Sequence, residues 1–372
     1  MAKNAGTLEN NGALTSDESA VETHIKNLPF FARQMLKLLE NARYGSLKAT
    51  MPNGQNFQTR GKESSPQAEI TLKTWGIVTR TYRGTSIGTA ESYIDGDWDS
   101  PDPAKVLEFA LVNWSTSPVY KQSFLTTMIE RLRHWSNRNS KAGSRRNIAA
   151  HYDLGNAFYE QWLDPSMTYS SAMFTPETNS LEAAQQQKYR HLAQEIGIEE
   201  SHHVLEIGCG WGGFAEFAAK EIGCQLKCLT ISREQLNYAQ KRIFDAGLNE
   251  KVDLVFQDYR DETGQYDSIA SIEMIEAVGE KYWPSYYQTV SQSLKPGARA
   301  GIQAICINDG DFETYRATPD FIQRYIFPGG MLMSPNNMKR LGSEHGLTIS
   351  GQTIFGVDYA DTLAEWRKHF LA

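Results

Sequence analysis

Apolar positions along this chain follow two different patterns, and the change comes before the midpoint. In the later part, short apolar runs at residues 203–207, 225–230, 252–257, 266–271 and 299–305 alternate with longer amphipathic stretches such as 213–220 and 233–246. Runs of that length bounded by turn residues predict buried strands, and the stretches between them predict helices. Their alternation predicts an α/β architecture, a parallel sheet with helices on both faces. Residues 347–355 are a sixth strand candidate, and 361–371 have helical spacing.

The earlier part reads as a smaller α+β unit. Residues 43–50 and 57–60 predict strands around the turn Pro52-Asn53-Gly54, and 68–73 alternates like a half-buried strand. After Gly84-Thr85-Ser86-Ile87-Gly88, residues 90–93 read as the start of a short helix. Asp95-Gly96-Asp97-Trp98-Asp99 reads as a turn, and 103–112 carries Val106, Leu107, Ala110 and Leu111 at helical spacing. Nothing there makes a catalytic constellation. The polar residues 1–28 are expected to be a disordered tail, and 136–144 is a linker by composition. The expected organisation is therefore a tail, a small domain at 29–135, a linker, and a larger domain at 145–372. No internal repeat is visible.

Composition narrows the function classes. The chain has 372 residues, 40% hydrophobic and 22% charged, which is enough apolar material for two cores. No run approaches the length of a spanning helix, and no secretory signal opens the sequence, so a cytoplasmic protein is expected. A net charge of −7 argues against nucleic acid as the main partner. The segment 131–146 departs from that average, with six Arg or Lys and no acid. It reads either as a solvated linker or as a patch resting on anionic lipid headgroups. Cys209, Cys224, Cys228 and Cys306 lack metal-ligand spacing, so no metal is expected and buried reduced thiols are the better account.

The first strand of the larger domain runs into Glu206-Ile207-Gly208-Cys209-Gly210-Trp211-Gly212-Gly213. Glycines let the backbone turn sharply and approach a ligand where strands end. The spacing also fits a dinucleotide loop, but such loops want an acid about 20 residues on to hold a ribose. Thr230-Ile231-Ser232 stands there instead, whereas Glu206 precedes the first glycine, as in adenosylmethionine sites.

Further segments share one resemblance. They are His151-Tyr152-Asp153-Leu154-Gly155-Asn156, the stretch from Leu163 to Ala172, Leu229 to Gln235, Gln257-Asp258-Tyr259-Arg260, Glu273 to Gly279, Tyr325 to Gly330, and Asp358-Tyr359. In this order, with the glycine loop, they resemble the catalytic domain of cyclopropane fatty acid synthases. Asp95 to Asp99 is similar to that family's N-terminal lipid-associated domain. The resemblance implies a class I methyltransferase, Rossmann-like sheet that takes S-adenosylmethionine and alkylates the cis double bond of unsaturated phospholipid acyl chains. It also implies peripheral attachment to an anionic membrane surface, with a homodimer as one open assembly. Glu206, Gly208 and Gly210 would lie under the cofactor. Thr230, Ile231 and Gln235 would take its ribose and methionine region, Asp258 and Tyr259 would flank the adenine, and Tyr169 and Ser170 would close over the sulfonium. Glu276, Tyr359, Gln303 and the backbone amides near Ser171 and Ile305 would form a pocket for a bicarbonate ion acting as base.

Such chemistry leaves a carbocation on the acyl chain, so the site should be apolar and closed to water. Tyr152, Phe158, Tyr169 and Phe174 are candidates to stabilise it through their ring faces, or else plain core. Several positions depart from the family pattern: Ser171 where many members have Cys, Gln303 where several have His, Ala277 where His is common, and Glu273 where a small residue is usual. These leave open a cyclopropane, a methylene- or methyl-branched product, or a silent protein that binds lipid or cofactor. Relatives continue past 361–371 and supply an antiparallel strand, so a truncated sheet with a vacant position and an exposed edge is expected.

Overall fold

The computed structural model describes residues 7–9, 29–40, 42–114 and 154–372. Most of the 1–28 tail, the 136–144 linker, the basic segment 131–146 and the motif His151-Tyr152-Asp153 fall outside the described residues. The chain divides into two compact units, Met1–Arg131 and Leu132–Ala372.

In the first unit, strands β1 (Thr7–Glu9), β2 (Tyr44–Thr50), β3 (Asn56–Arg60), β4 (Glu63–Leu72) and β5 (Trp98–Asp99) form one sheet in the order β1-β3-β2-β4-β5. The β2–β3 hairpin closes through the expected turn, where Gly54 N donates to Met51 O at 2.9 Å. Alternate residues Leu47, Ala49, Phe57, Ala68, Ile70 and Leu72 turn into a core with the helices Phe30–Glu40 and Pro103–Trp114. Two expectations need correction here. The helical stretch is not short: it runs Gly76–Ile94. Its many Gly, Thr and Ser residues have weak helix propensity and hid it, while Ile77, Val78 and Ile87 are buried and hold it to the core. A Cβ on Gly88 would lie 2.1 Å from the carbonyl oxygen of Arg80. Eight residues span about 12 Å of straight helix, so the stretch folds back on itself there. The supposed turn 95–99 also ends as strand β5, because buried Trp98 donates its indole N–H to Ser92 Oγ at 3.0 Å and Leu72 pairs with it.

The second unit is built on β6 (His203–Ile207), β7 (Gln225–Thr230), β8 (Val252–Phe256), β9 (Tyr266–Ile272) and β10 (Leu294–Gln303), in the order β10-β9-β6-β7-β8 and parallel throughout. The helices Leu181–Ile196, Arg233–Asp245 and Trp283–Ser293 cover it. Separate cores lie about the sheet, one around Val204, Leu226 and Phe214, the other around Leu205, Ile269 and Tyr286. The sixth strand candidate, 347–355, is not a strand. A strand exists only with a ladder partner, and among the described residues the sheet ends at β10, so Ile349 and Ile354 stay exposed. The helix Gly356–Phe370 follows, starting earlier than its spacing predicts. Of the cysteines, three are buried but Cys306 is exposed. Among the described residues no helix is long and apolar enough to cross a membrane.

Candidate active site

Strand order reverses at β6: β7 and β8 extend one way, β9 and β10 the other. At such a switch point the loops after neighbouring strands diverge and leave a crevice at the strands' carboxyl ends. The loops after β6 and β9 frame that crevice here.

Glycine makes the first loop possible. Gly208, Gly210 and Gly212 hold φ of 83°, 53° and 83°, which side chains disfavour. Gly208 N and Cys209 N both donate to Leu229 O of β7 at 3.0 Å, pinning the turn. A Cβ on Gly208 would sit 2.6 Å from Met274 Cγ, so the loops after β6 and β9 touch at this point. Above Gly210 a Cβ would meet nothing within 4 Å.

One cavity is lined by Tyr169, Ser170, Glu206, Gly208, Gly210, Thr230, Ile231, Gln235, Asp258 and Tyr259. All ten residues expected around the cofactor thus face the same space, together with Glu273, Met274, Ala277 and Phe327. Its polar groups are set by local chain geometry. Ser232 caps the helix after β7 by accepting from Gln235 N at 3.2 Å, and Thr230 Oγ1 donates to Gln235 Oε1 at 3.3 Å. Asp258 is buried and gripped by Arg260, whose Nε and Nη2 donate to its two oxygens at 2.8 and 2.6 Å. Glu206 is buried with Oε2 lacking a hydrogen bond. Burial pushes its carboxyl up to about 7, against the pull of the Cys228 thiol and Lys188. An orphaned carboxylate oxygen, open space over a glycine and a flanking tyrosine ring fit a cationic ligand bearing an aromatic base.

The residues expected at the anion pocket gather beside this cavity. Ser171 N and Gln303 Nε2 donate to Glu273 Oε1 at 2.8 and 2.9 Å, and Ile305 N donates to Glu276 Oε1 at 2.6 Å. Glu276 is buried with Oε2 unpartnered, and burial plus the neighbouring Glu273 push its carboxyl up to about 8. Tyr359 takes part electrostatically: burial, then Glu273, Tyr169 and Glu276, raise its phenol well above the usual range. The two backbone amides and the Gln303 side chain named for a bicarbonate ion are therefore engaged by the chain's own carboxylates.

Two participants escaped the sequence reading. Glu273 stood out only as a departure from the family pattern, yet it joins Glu206 and Asp258 on the cavity wall and sits at φ 47°, a conformation costing about 1 kcal/mol for a side-chain-bearing residue. Lys188 is 1% exposed and donates to Ser170 Oγ at 2.5 Å. Burial lowers it to about 7, against the attraction of Glu273, Asp164 and Glu206. A signal for it existed: Leu181, Ala184, Gln185, Lys188 and Tyr189 share the buried face of one helix.

Of the aromatic candidates, Tyr169 lines the cavity, while Phe158 and Phe174 pack beside it in a cluster with Tyr159, Trp162 and Trp366. Tyr152 lies outside the described residues.

Comparison with known proteins gives the same direction. The family described as mycolic acid cyclopropane synthetase matches residues 139–372. The tuberculostearic acid methyltransferase of Mycobacterium tuberculosis is 38% identical, over 79% of this chain and 71% of that protein. The cyclopropane-fatty-acyl-phospholipid synthase of Escherichia coli is 35% identical, over 83% of this chain and 78% of its own. Among solved structures, mycolic acid cyclopropane synthase CmaA1 complexed with SAH and CTAB aligns at a TM-score of 0.57 and 25% identity, covering 60% of this chain and 82% of its own. Fold, cavity and kinship agree, and the chain belongs to the mycolic acid cyclopropane synthetase family of S-adenosylmethionine-dependent methyltransferases.

Proposed function

We propose that this enzyme adds a methylene unit from S-adenosylmethionine across the cis double bond of an unsaturated phospholipid acyl chain, closing a cyclopropane ring. The observation that carries this reading is one cavity at the sheet's switch point lined by the glycine loop, Glu206 and Glu273 together. Bound cofactor would supply an electrophilic methyl group on a positive sulfur. Glu206 would answer the charge of its methionine end, Thr230 and Gln235 would hold the ribose region, and Tyr259 would stack on the adenine beside Asp258. Tyr169 and Ser170 would cover the sulfonium. The Tyr169 face, lining the cavity, would steady a neighbouring carbocation by about 0.5–2 kcal/mol. Its aromatic neighbours would keep water from quenching that cation.

The bicarbonate expected from the family does not fit the Ser171, Gln303 and Ile305 donors as they stand, because Glu273 and Glu276 occupy them. Substrate would reach the enzyme from an anionic membrane surface in the cytoplasm, with the basic segment 131–146 resting on headgroups. A second reading, a methyl-branched product, is favoured by the likeness to tuberculostearic acid methyltransferase.

Mass spectrometry of total fatty acids from cells expressing the chain tests the proposal. A gain of one CH2 unit with loss of the alkene is the expected result. Retention of an exocyclic alkene would assign a methylene branch, and unchanged acyl chains alongside measurable cofactor binding would sink the proposal.

A further inference from the structure

A base for this reaction must sit on the cavity wall, be ionised when the cation forms, and be held in place. Glu273 meets the requirements of position and anchoring without an added ion. It directly follows β9, lines the same cavity as Glu206 and Gly208, and lies at φ 47°. A side chain held in the left-handed region is an outlier that functional sites tend to retain. Its Oε1 accepts from Ser171 N and Gln303 Nε2, the very donors an exogenous anion would need, which leaves Oε2 to take a proton.

Taking the proposed function as its ground, we propose that Glu273 is the general base of the alkylation and stands in for bicarbonate. The alkene's π pair takes the methyl carbon while the S–C pair stays on sulfur, leaving the adjacent carbon cationic. Glu273 Oε2 removes a proton from the added methyl, and that C–H pair closes the ring. The proton leaves to solvent when product and SAH depart.

The surrounding charges suit this role. Burial raises the Glu273 carboxyl above the usual carboxylate range, and buried Lys188 and the two N–H donors oppose that rise by favouring the ionised form. Glu276 receives the N–H groups of Ile305 and of its own backbone but no nearby cation, and burial and then Glu273 raise its carboxyl to about 8. Of the two carboxyls, Glu273 has Lys188 to offset its burial, so a charge on this wall is better placed there than on Glu276.

The test uses the full chain, S-adenosylmethionine and vesicles of unsaturated phospholipid in carbon-dioxide-free buffer, with and without added bicarbonate. Wild-type turnover is expected to be the same in both buffers. E273Q should lose at least about 100-fold in kcat while SAH affinity, measured by calorimetry, stays unchanged. E273G, which clears the donors for an exogenous anion, should regain turnover when bicarbonate is added. A wild-type rate that climbs severalfold with bicarbonate, or an E273Q enzyme as fast as wild type, would overturn the role of Glu273. A wild type that binds SAH yet alkylates no acyl chain in either buffer is a separate result, and it overturns the functional reading beneath.

Discussion

Replacing Gly208 with valine is expected to weaken SAH binding by at least about 100-fold, or ~2.7 kcal/mol. The loss has two physical sources. The residue holds φ 83°, where a β-branched side chain is strained, and its Cβ would come within 2.6 Å of Met274 Cγ and 3.1 Å of Met274 Cβ. Relief requires either the glycine turn or the loop after β9 to move, and both line the cofactor cavity. Gly247→Ala serves as the control. That glycine also has positive φ, 69°, but a Cβ there meets nothing within 4 Å. It should lower thermal stability by about 1 kcal/mol and leave SAH affinity alone. Titration calorimetry on both variants separates strain in general from damage to this loop, and equal SAH affinity in wild type and Gly208→Val would refute the assignment.

The second large effect concerns pH. Glu276 has a folded-state value of about 8 against an ordinary 4.5, so the folded protein holds its proton more tightly than the unfolded chain. The sign follows directly: this group costs nothing below 4.5, and stability is lost as pH rises from there through about 8. Gln at 276 keeps an oxygen for the Ile305 N–H and cannot ionise. At about pH 5 the Glu276→Gln variant should be within about 1 kcal/mol of wild type, whereas at about pH 8.5 it should be more stable by about 4–5 kcal/mol. Lys188 carries the opposite dependence, its stability penalty easing as pH rises from about 7 to 10.5, but it is present in both proteins and cancels in the difference. Denaturant melts of wild type and variant at the two pH values measure it. A constant gap between the two proteins would show that Glu276 is not neutral in the folded state.

How far the sequence discloses the molecule depends on what holds each part. The inner strands β6, β7 and β9 are legible because a parallel sheet buries both of their faces, and runs such as Val204-Leu205-Glu206-Ile207 admit few other readings. The 347–355 segment has similar apolar content, but strand identity also needs a partner, which local pattern does not encode. In the small domain, the helical stretch Gly76–Ile94 contradicts its own Gly and Thr content, since burial of Ile77, Val78 and Ile87 overrides propensity. Ten cavity residues were legible through family motifs and the glycine loop. The grip of Ser171 and Gln303 on Glu273 was not, because it joins positions 102 and 30 residues apart through a backbone N–H and an amide. Lys188 was hidden differently: a lysine in a polar run reads as a solvated charge until the helix face is traced.

Donor labelled with a trideuteriomethyl group offers the most direct test of the whole scheme. Given to the purified chain with unsaturated phospholipid vesicles, it should yield an acyl product that has lost its alkene and keeps two of the three deuterons, the third having gone to the base. A product that keeps all three would mean a methyl branch and contradict ring closure. An acyl chain carrying no deuterium would contradict methyl transfer to lipid altogether.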